Sequence, residues 1–184
     1  MTAAPFRYQL RVISTWLLVL VVVEFINLVS GRSLTAFGLV PRHTDHLAGI
    51  VLAPFLHGSP WHLAANLLPL AIMQLLLFQY GRRLFWQASA MIIVLSGLTV
   101  WLLGRDAIHV GASGLVYGYF GFLLVGGVRS GQLRQMAIAV LVAVVYGGLL
   151  YGVVPRGGQI SWEYHLFGLL AGAIVAIILV GKRR

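Results

Sequence analysis

The chain has 184 residues, of which 60% are hydrophobic and only 9% are charged. Soluble domains use about 45–50% apolar and about 25% charged residues, so this composition indicates a membrane protein. The formal net charge is +9, but the basic residues lie beside the ends of apolar stretches and not on a polar face, which argues against nucleic acid as a partner. The absence of cysteine excludes a disulfide framework, a thiolate nucleophile and a thiolate metal site.

Six apolar stretches approach the roughly 20 residues that a helix needs to cross a bilayer. They cover approximately residues 12–28, 63–78, 85–103, 110–128, 136–154 and 166–180. The outer connection at 29–61 contains an apolar run at 47–56 that is too short to cross. The first stretch lacks a cleavage site of small residues, so we expect a retained helix and not a removed signal peptide. These patterns predict an all-α membrane protein with one domain over residues 1–184.

The distribution of arginine and lysine predicts the orientation of the six spans. One side of the membrane collects nine basic residues, namely Arg7, Arg11, Arg82, Arg83, Arg129, Arg134, Lys182, Arg183 and Arg184. The other side collects four, namely Arg32, Arg42, Arg105 and Arg156. Because cytoplasmic loops carry the excess of basic residues, we expect both termini in the cytoplasm.

Polar side chains gather in the first turns of the even-numbered spans. Span two begins near His62 and Asn66, span four carries Ser113 and Tyr117, and span six begins at His165. Ionisable and amide groups inside a span are costly, so each is a candidate for function or for internal pairing. All three spans run from outside to inside, which places these groups at one depth. We therefore expect one polar site near the outer face.

Glycines indicate which of these spans touch. Span four carries Gly114, Gly118 and Gly121, and span six carries Gly168 and Gly172. Small residues four apart allow helix backbones to approach closely in lipid. Packing these two faces would bring the hydroxyl of Ser113 and the imidazole of His165 together near the outer end.

The remaining ionisable groups have simpler interpretations. We expect Glu24, inside span one, to be a carboxyl near the outer interface that is protonated or paired internally. We expect His43, His46 and His109 to lie in exposed loops.

Three short motifs occur in order along the chain. They are His57-Gly58-Ser59-Pro60-Trp61-His62 with Asn66, Gly111-Ala112-Ser113-Gly114 with Tyr117, and His165-Leu166-Phe167-Gly168 with Gly172. Together they resemble the rhomboid family of intramembrane serine proteases, and the similarity runs from about Gly38 to Gly181. A GxSxG nucleophile elbow is excluded, because Leu115 occupies its last position.

The resemblance implies a minimal bacterial-type core of six transmembrane helices that cleaves single-span membrane proteins near the outer face. Ser113 would be the nucleophile and His165 its base, with no acidic third member and with no cofactor or metal. His62, Asn66 and the backbone N–H of Ser113 would be the oxyanion donors. Supporting positions would be Tyr117, which stacks on the base, together with His57, Gly111, Gly114, Gly168 and Gly172.

The resemblance also implies a place and partners. We expect a multi-pass protein of a bacterial inner membrane whose active site opens to the periplasmic side. Its partners would be transmembrane protein substrates and membrane lipid, with no nucleic acid.

Two alternative functions fit the same composition. A catalytically inactive rhomboid-like scaffold typically lacks the serine or the histidine, and both are present here. A small transporter or channel would carry polar residues into the inner half of the bilayer, but spans four and six are almost wholly apolar below their first turns, apart from Tyr117 and Tyr119. Zinc and aspartyl intramembrane proteases are excluded because the sequence has no HExxH motif and no aspartate within a span.

Overall fold

The computed structural model describes residues 4–155 and 161–181, and all regular secondary structure in this part of the chain is helical apart from one isolated β-bridge. The α-helices are α1 (Phe6–Val29), the four-residue α2 (Gly49–Leu52), α3 (Pro60–Leu77), α4 (Arg82–Leu103), α5 (Ser113–Ser130), α6 (Leu133–Tyr146) and α7 (Trp162–Leu179). Short 3-10 segments are Ser33–Phe37, Thr44–His46, Ala53–Phe55, Phe78–Tyr80 and Gly147–Val153. The predicted all-α class is confirmed.

Five helical segments of the described chain are long and apolar enough to cross a membrane. They are Phe6–Val29, Pro60–Tyr80, Arg82–Leu103, Leu133–Val153 and Trp162–Leu179. The predicted span at 110–128 corresponds to α5, whose five glycines, two tyrosines and one arginine lower its mean hydropathy. The chain is therefore a multi-pass membrane protein, while the count of six spans and the orientation stay predictions.

Helix α5 forms the centre of the bundle. It packs against α3, α4, α6 and α7, and nearly all of its residues are buried. The more peripheral α6 buries only Gln135, Ile138, Ala139 and Val142, and its other residues are largely exposed and, apart from Arg134 near its start, apolar. A helix that is apolar on most of its sides is expected either in a protein core or in lipid, and α6 lies at the periphery of the bundle.

The contact between α5 and α7 depends on glycine. A Cβ on Gly168 would overlap the carbonyl oxygen of Gly114, and a Cβ on Gly172 would overlap that of Gly118. No larger residue fits at either position without separating the two backbones. We call this contact between α5 and α7 the glycine seam.

The outer connection between α1 and α3 folds back over the bundle. Leu39 and His109 form the β-bridge with N···O distances of 3.0 and 2.8 Å, and the N–H of Gly111 donates to the carbonyl of Ala53 at 2.9 Å. The apolar run at 47–56 forms α2 and a 3-10 turn, and α2 packs against α4. These bonds tie the outer connection to the loop that leads into α5.

Candidate active site

Ser113 and His165 meet in the first turns of α5 and α7. The Oγ of Ser113 lies 3.0 Å from the Nε2 of His165, and the serine is 9% exposed. Both residues line one cavity, together with His62, Asn66 and Tyr117. The structure therefore brings together five of the residues that the sequence assigned to one site.

The imidazole of His165 is held on one face and at one edge. Its ring stacks on Tyr117 with centroids 4.2 Å apart and an interplanar angle of 4°. Its Nδ1 lies 3.0 Å from the carbonyl oxygen of Gly152. A carbonyl can only accept, so Nδ1 carries a proton, and in the neutral ring Nε2 then presents a lone pair to the hydroxyl of Ser113.

Gly152 is a site residue that the sequence analysis missed. It lies in the 3-10 segment that follows α6, and it acts through its backbone carbonyl, which no side-chain pattern reveals. A Cβ at this position would overlap the hydroxyl of Tyr117. The only indication of this role in the sequence is that the residue is a glycine, which permits such a close approach.

Among the described residues, the N–H groups of Ser113 and Gly114 in the first turn of α5 have no hydrogen-bond partner. Helix α3 is capped by Ser59 and α7 by Ser161, whose hydroxyls accept from the N–H groups of His62 and Tyr164. Within the described chain, α5 begins after Ala112 with no side-chain cap. Unpaired amides and the positive end of the helix dipole favour an anion at the first turn, where the N–H of Ser113 lies.

Gly111 lets His62 approach the serine. Gly111 has a φ of +121°, and a Cβ there would lie 2.7 Å from the Nε2 of His62 and 3.7 Å from the Oγ of Ser113. The Nδ1 of His62 accepts a long hydrogen bond of 3.5 Å from the N–H of Gly58. This bond leaves the proton on Nε2, so His62 presents a donor beside Ser113.

Asn66 lies one turn below His62 and is 5% exposed. Its Nδ2 donates to the carbonyl oxygen of His62 at 2.7 Å. An amide nitrogen carries two hydrogens, so one remains for a group in the cavity.

His57 supports the loop before Ser113. It is fully buried, and its Nε2 accepts the N–H of Ala112 at 3.3 Å. Its carbonyl accepts from Asn27 at 3.2 Å and from Arg32 at 3.1 Å. Burial, reinforced by the neighbouring His62, lowers the pKa of His57 to about 3, so the ring stays neutral and can accept.

Glu24 has a partner within the bundle. Its Oε1 accepts from the Nη1 of Arg32 at 2.8 Å, and the carboxylate side chain is only 6% exposed. The expectation of an internally paired carboxyl is confirmed. Through Arg32, which also donates to His57, the outer end of α1 is joined to the site.

The expectation that His109 lies exposed in a loop is wrong. The residue is 1% exposed, because its backbone pairs with Leu39 and its ring bonds to Ser161 and to the carbonyl of Arg105. His43 is exposed as expected, while His46 is half-buried with its Nδ1 3.1 Å from the carbonyl oxygen of Gly38. Four residues of the predicted charge distribution, Arg156, Lys182, Arg183 and Arg184, lie outside the described residues.

Comparison with known proteins identifies the family. A Rhomboid domain model matches residues 44–182, which contain all three motifs. Uncharacterized proteins of Mycobacterium tuberculosis (strain ATCC 25618 / H37Rv) and Mycobacterium bovis are 39% identical over 181 residues, which cover 94% of this chain and 75% of theirs. An uncharacterized protein of Mycobacterium leprae is 37% identical over 183 residues, covering 94% of this chain and 72% of its own. The resemblance seen in the motifs is therefore confirmed, and the chain belongs to the rhomboid family.

Proposed function

We propose that this rhomboid-family membrane protein is an intramembrane serine endopeptidase that uses Ser113 and His165 as a catalytic dyad. The observation that carries the proposal is the 3.0 Å contact between Ser113 Oγ and the unprotonated Nε2 of His165. The carbonyl of Gly152 fixes the tautomer that this contact needs, so an acidic third residue is not required.

The reaction follows from the positions of the donors and the acceptor. Ser113 Oγ attacks the peptide carbonyl carbon while its proton passes to His165 Nε2. The oxyanion receives hydrogen bonds from the N–H of Ser113, from His62 Nε2 and from the second Nδ2 hydrogen of Asn66. His165 then protonates the leaving amine as the C–N bond breaks. A water gives its proton to His165 and attacks the acyl ester, and the C–O bond to Ser113 breaks as His165 returns that proton to the serine oxygen.

The proposed substrates are single-span membrane proteins. Inside a transmembrane helix each carbonyl is engaged in a hydrogen bond, so the segment to be cut must unwind locally. Unwinding is easiest near the interface, and the site lies in the first turns of α3, α5 and α7. The cavity has a volume of about 1030 Å³, and apolar residues such as Trp61, Val116 and Leu149 line it beside the dyad, which suits an apolar segment.

The proposed topology has α5 as a sixth span in one domain over residues 1–184. Arg32 and Arg105, both assigned to the outer side by charge counting, line the same cavity as Ser113, which supports a site that opens outward. We propose that this outer side is the periplasmic face of a bacterial inner membrane and that surrounding lipid contacts the apolar periphery.

The deciding experiment is cleavage of a reporter transmembrane segment in liposomes. We expect cleavage by the wild type and complete loss in Ser113→Ala, which lacks the nucleophile, and in His165→Ala, which lacks the base that takes its proton. Ser130→Ala, which removes a buried hydroxyl at the opposite end of α5, should retain cleavage. A serine-reactive phosphonate should label the wild type and leave Ser113→Ala unlabelled.

An inactive scaffold predicts the opposite pattern. A wild type that shows no cleavage and no phosphonate labelling would favour the scaffold. Unchanged cleavage by Ser113→Ala would refute the assigned nucleophile.

A further inference from the structure

A second polar cluster lies beside the dyad, where the end of α4 meets the beginning of α7. It consists of Arg105, His109, Ser161 and Glu163, which we call the α7 clamp. The Nδ1 of His109 lies 2.5 Å from the Oγ of Ser161, and its Nε2 lies 3.1 Å from the carbonyl oxygen of Arg105. The Nε of Arg105 lies 3.3 Å from an oxygen of Glu163, which is 2% exposed.

The direction of each hydrogen bond in the α7 clamp follows from its acceptors. The carbonyl of Arg105 can only accept, so the Nε2 of His109 carries a proton. Burial lowers the pKa of His109, although the bond to Arg105 and the charge of Glu163 oppose the shift, so the ring is neutral and its Nδ1 accepts. The hydroxyl of Ser161 therefore donates to His109, and its oxygen accepts the N–H of Tyr164 at 3.3 Å.

This chain of hydrogen bonds ends in the turn that carries His165. Ser161 caps α7 with its hydroxyl, and its carbonyl accepts from Tyr164 at 3.1 Å and from His165 at 3.3 Å. Hydrogen bonds in one direction polarise each other, so His109 strengthens Ser161 as a cap. The ion pair between Arg105 and Glu163 holds the same turn at a second point.

The His109–Ser161 contact is also in register with the dyad. His109 lies four residues before Ser113, and Ser161 lies four residues before His165, so both contacts join positions 52 apart in the sequence. The two chain segments that enter the site are thus fastened to each other directly before they deliver the nucleophile and the base.

We propose that His109 is a positioning residue, which sets the distance between Ser113 and His165 by orienting Ser161 at the start of α7. The inference rests on the proposed function and deepens it, because it assigns a determinant of the dyad geometry outside the three sequence motifs. Misplacing a catalytic group by about 1 Å can cost about 100-fold in rate, so a contact of this kind matters for turnover.

Kinetics of four variants and one control variant test this role. In His109→Ala we expect kcat for the reporter segment to fall by about 10- to 100-fold with KM unchanged, because substrate contacts remain while the base is displaced. His109→Asn, whose side-chain oxygen can accept from Ser161 near the position of Nδ1, should restore most of the rate. Ser161→Ala removes the cap itself and should lose at least as much rate as His109→Ala, and the double variant should lose no more than Ser161→Ala alone, because both substitutions break one chain. His43→Ala, an exposed histidine of the outer connection, should behave as the wild type.

A measurement that needs no activity separates this inference from the proposed function. Amide hydrogen exchange in the first turn of α7 should be faster in His109→Ala than in the wild type and slow again in His109→Asn. A wild type that never cleaves would refute the protease, and the exchange data would still decide the role of His109. The inference would be overturned if His109→Ala kept the kcat of the wild type or its rate of amide exchange. It would also be overturned if the loss of rate in His109→Ala only followed the fraction of unfolded protein and His109→Asn did not restore it.

Discussion

The contact between α5 and α7 is built in two different ways along its length. Below the first turns, the glycine seam brings two backbones together, and a single added Cβ would overlap a carbonyl. At the outer ends, hydrogen bonds from other parts of the chain hold the groups of the site: the carbonyl of Gly152 holds the ring of His165, and the ring of His57 holds the backbone of Ala112. The seam therefore fixes the distance between the helices, and the outer bonds fix the direction of the reacting groups.

The glycine seam and the outer hydrogen bonds should therefore respond to different kinds of substitution. Lipid supplies no hydrophobic force between helices, so the seam depends on close packing and responds to residue volume. The outer bonds depend on donors, acceptors and protonation, and they respond to single polar substitutions and to pH. Changes of volume should therefore damage the fold, whereas changes of polarity should damage the site with the fold intact.

The strongest test of the seam is Gly172→Ala. The new Cβ would overlap the carbonyl oxygen of Gly118 and approach the backbone nitrogen of Phe122 to 2.9 Å, and neither atom can move without separating α5 from α7. We expect destabilisation of at least about 3 kcal/mol, the upper range for overpacking, and loss of cleavage together with loss of monodisperse protein in detergent.

The matched control is Gly148→Ala, since no atom of the described residues lies within 4 Å of a Cβ built at that glycine. It should keep the yield and the unfolding temperature of the wild type. Equal behaviour of the two variants would mean that the glycine seam does not limit the packing of α5 and α7.

The second test addresses the outer turns through His62→Ala. Loss of one oxyanion donor costs about 10²- to 10³-fold in kcat in other enzymes, and we expect a fall of this size with the unfolding temperature retained. His62→Gln, which keeps an N–H donor, should recover part of the rate. If kcat in His62→Ala stayed near the wild-type value, the donor role derived from Gly111 and Gly58 would be wrong.

The sequence predicted the parts of the molecule that depend on local pattern. Apolar length gave the helices to within a few residues at most ends, although α1 begins at Phe6, well before the predicted residue 12. Spacing of polar and small residues predicted the contact between Ser113 and His165, because helical periodicity fixes which residues share a face.

The sequence could not reveal contacts that depend on how loops fold. Gly152 acts through a backbone carbonyl, and His109 is buried only because the distant Leu39 and Ser161 meet it. The partner of Glu24 lies beyond the end of α1, on Arg32, whose left-handed backbone at φ 70° directs the chain back over the helix. Composition also gave a weak signal for α5, since the glycines that allow close packing lower its hydropathy.

The smallest predicted effect concerns the pH dependence of stability through His57. Its pKa is lowered to about 3 in the folded protein from an ordinary value of 6.5, so the unfolded chain binds the proton more readily. The contribution of the neutral His57 ring to the free energy of unfolding is fully present above about pH 6.5. It falls as the pH decreases toward 3, by up to about 1.4 kcal/mol per pH unit. The glycine seam has no titratable group and should not add to this slope.

His57→Gln should flatten that slope, because the amide oxygen can accept the N–H of Ala112 without titrating. Between pH 6.5 and pH 5 we expect the free energy of unfolding of the wild type to fall by about 2 kcal/mol more than that of the variant, measured by denaturant unfolding in detergent. His43→Gln, which alters an exposed histidine, should keep the wild-type slope. A slope unchanged in His57→Gln would mean that this ring does not remain neutral on folding, and the outer bonds would then lose the acceptor that positions the loop before Ser113.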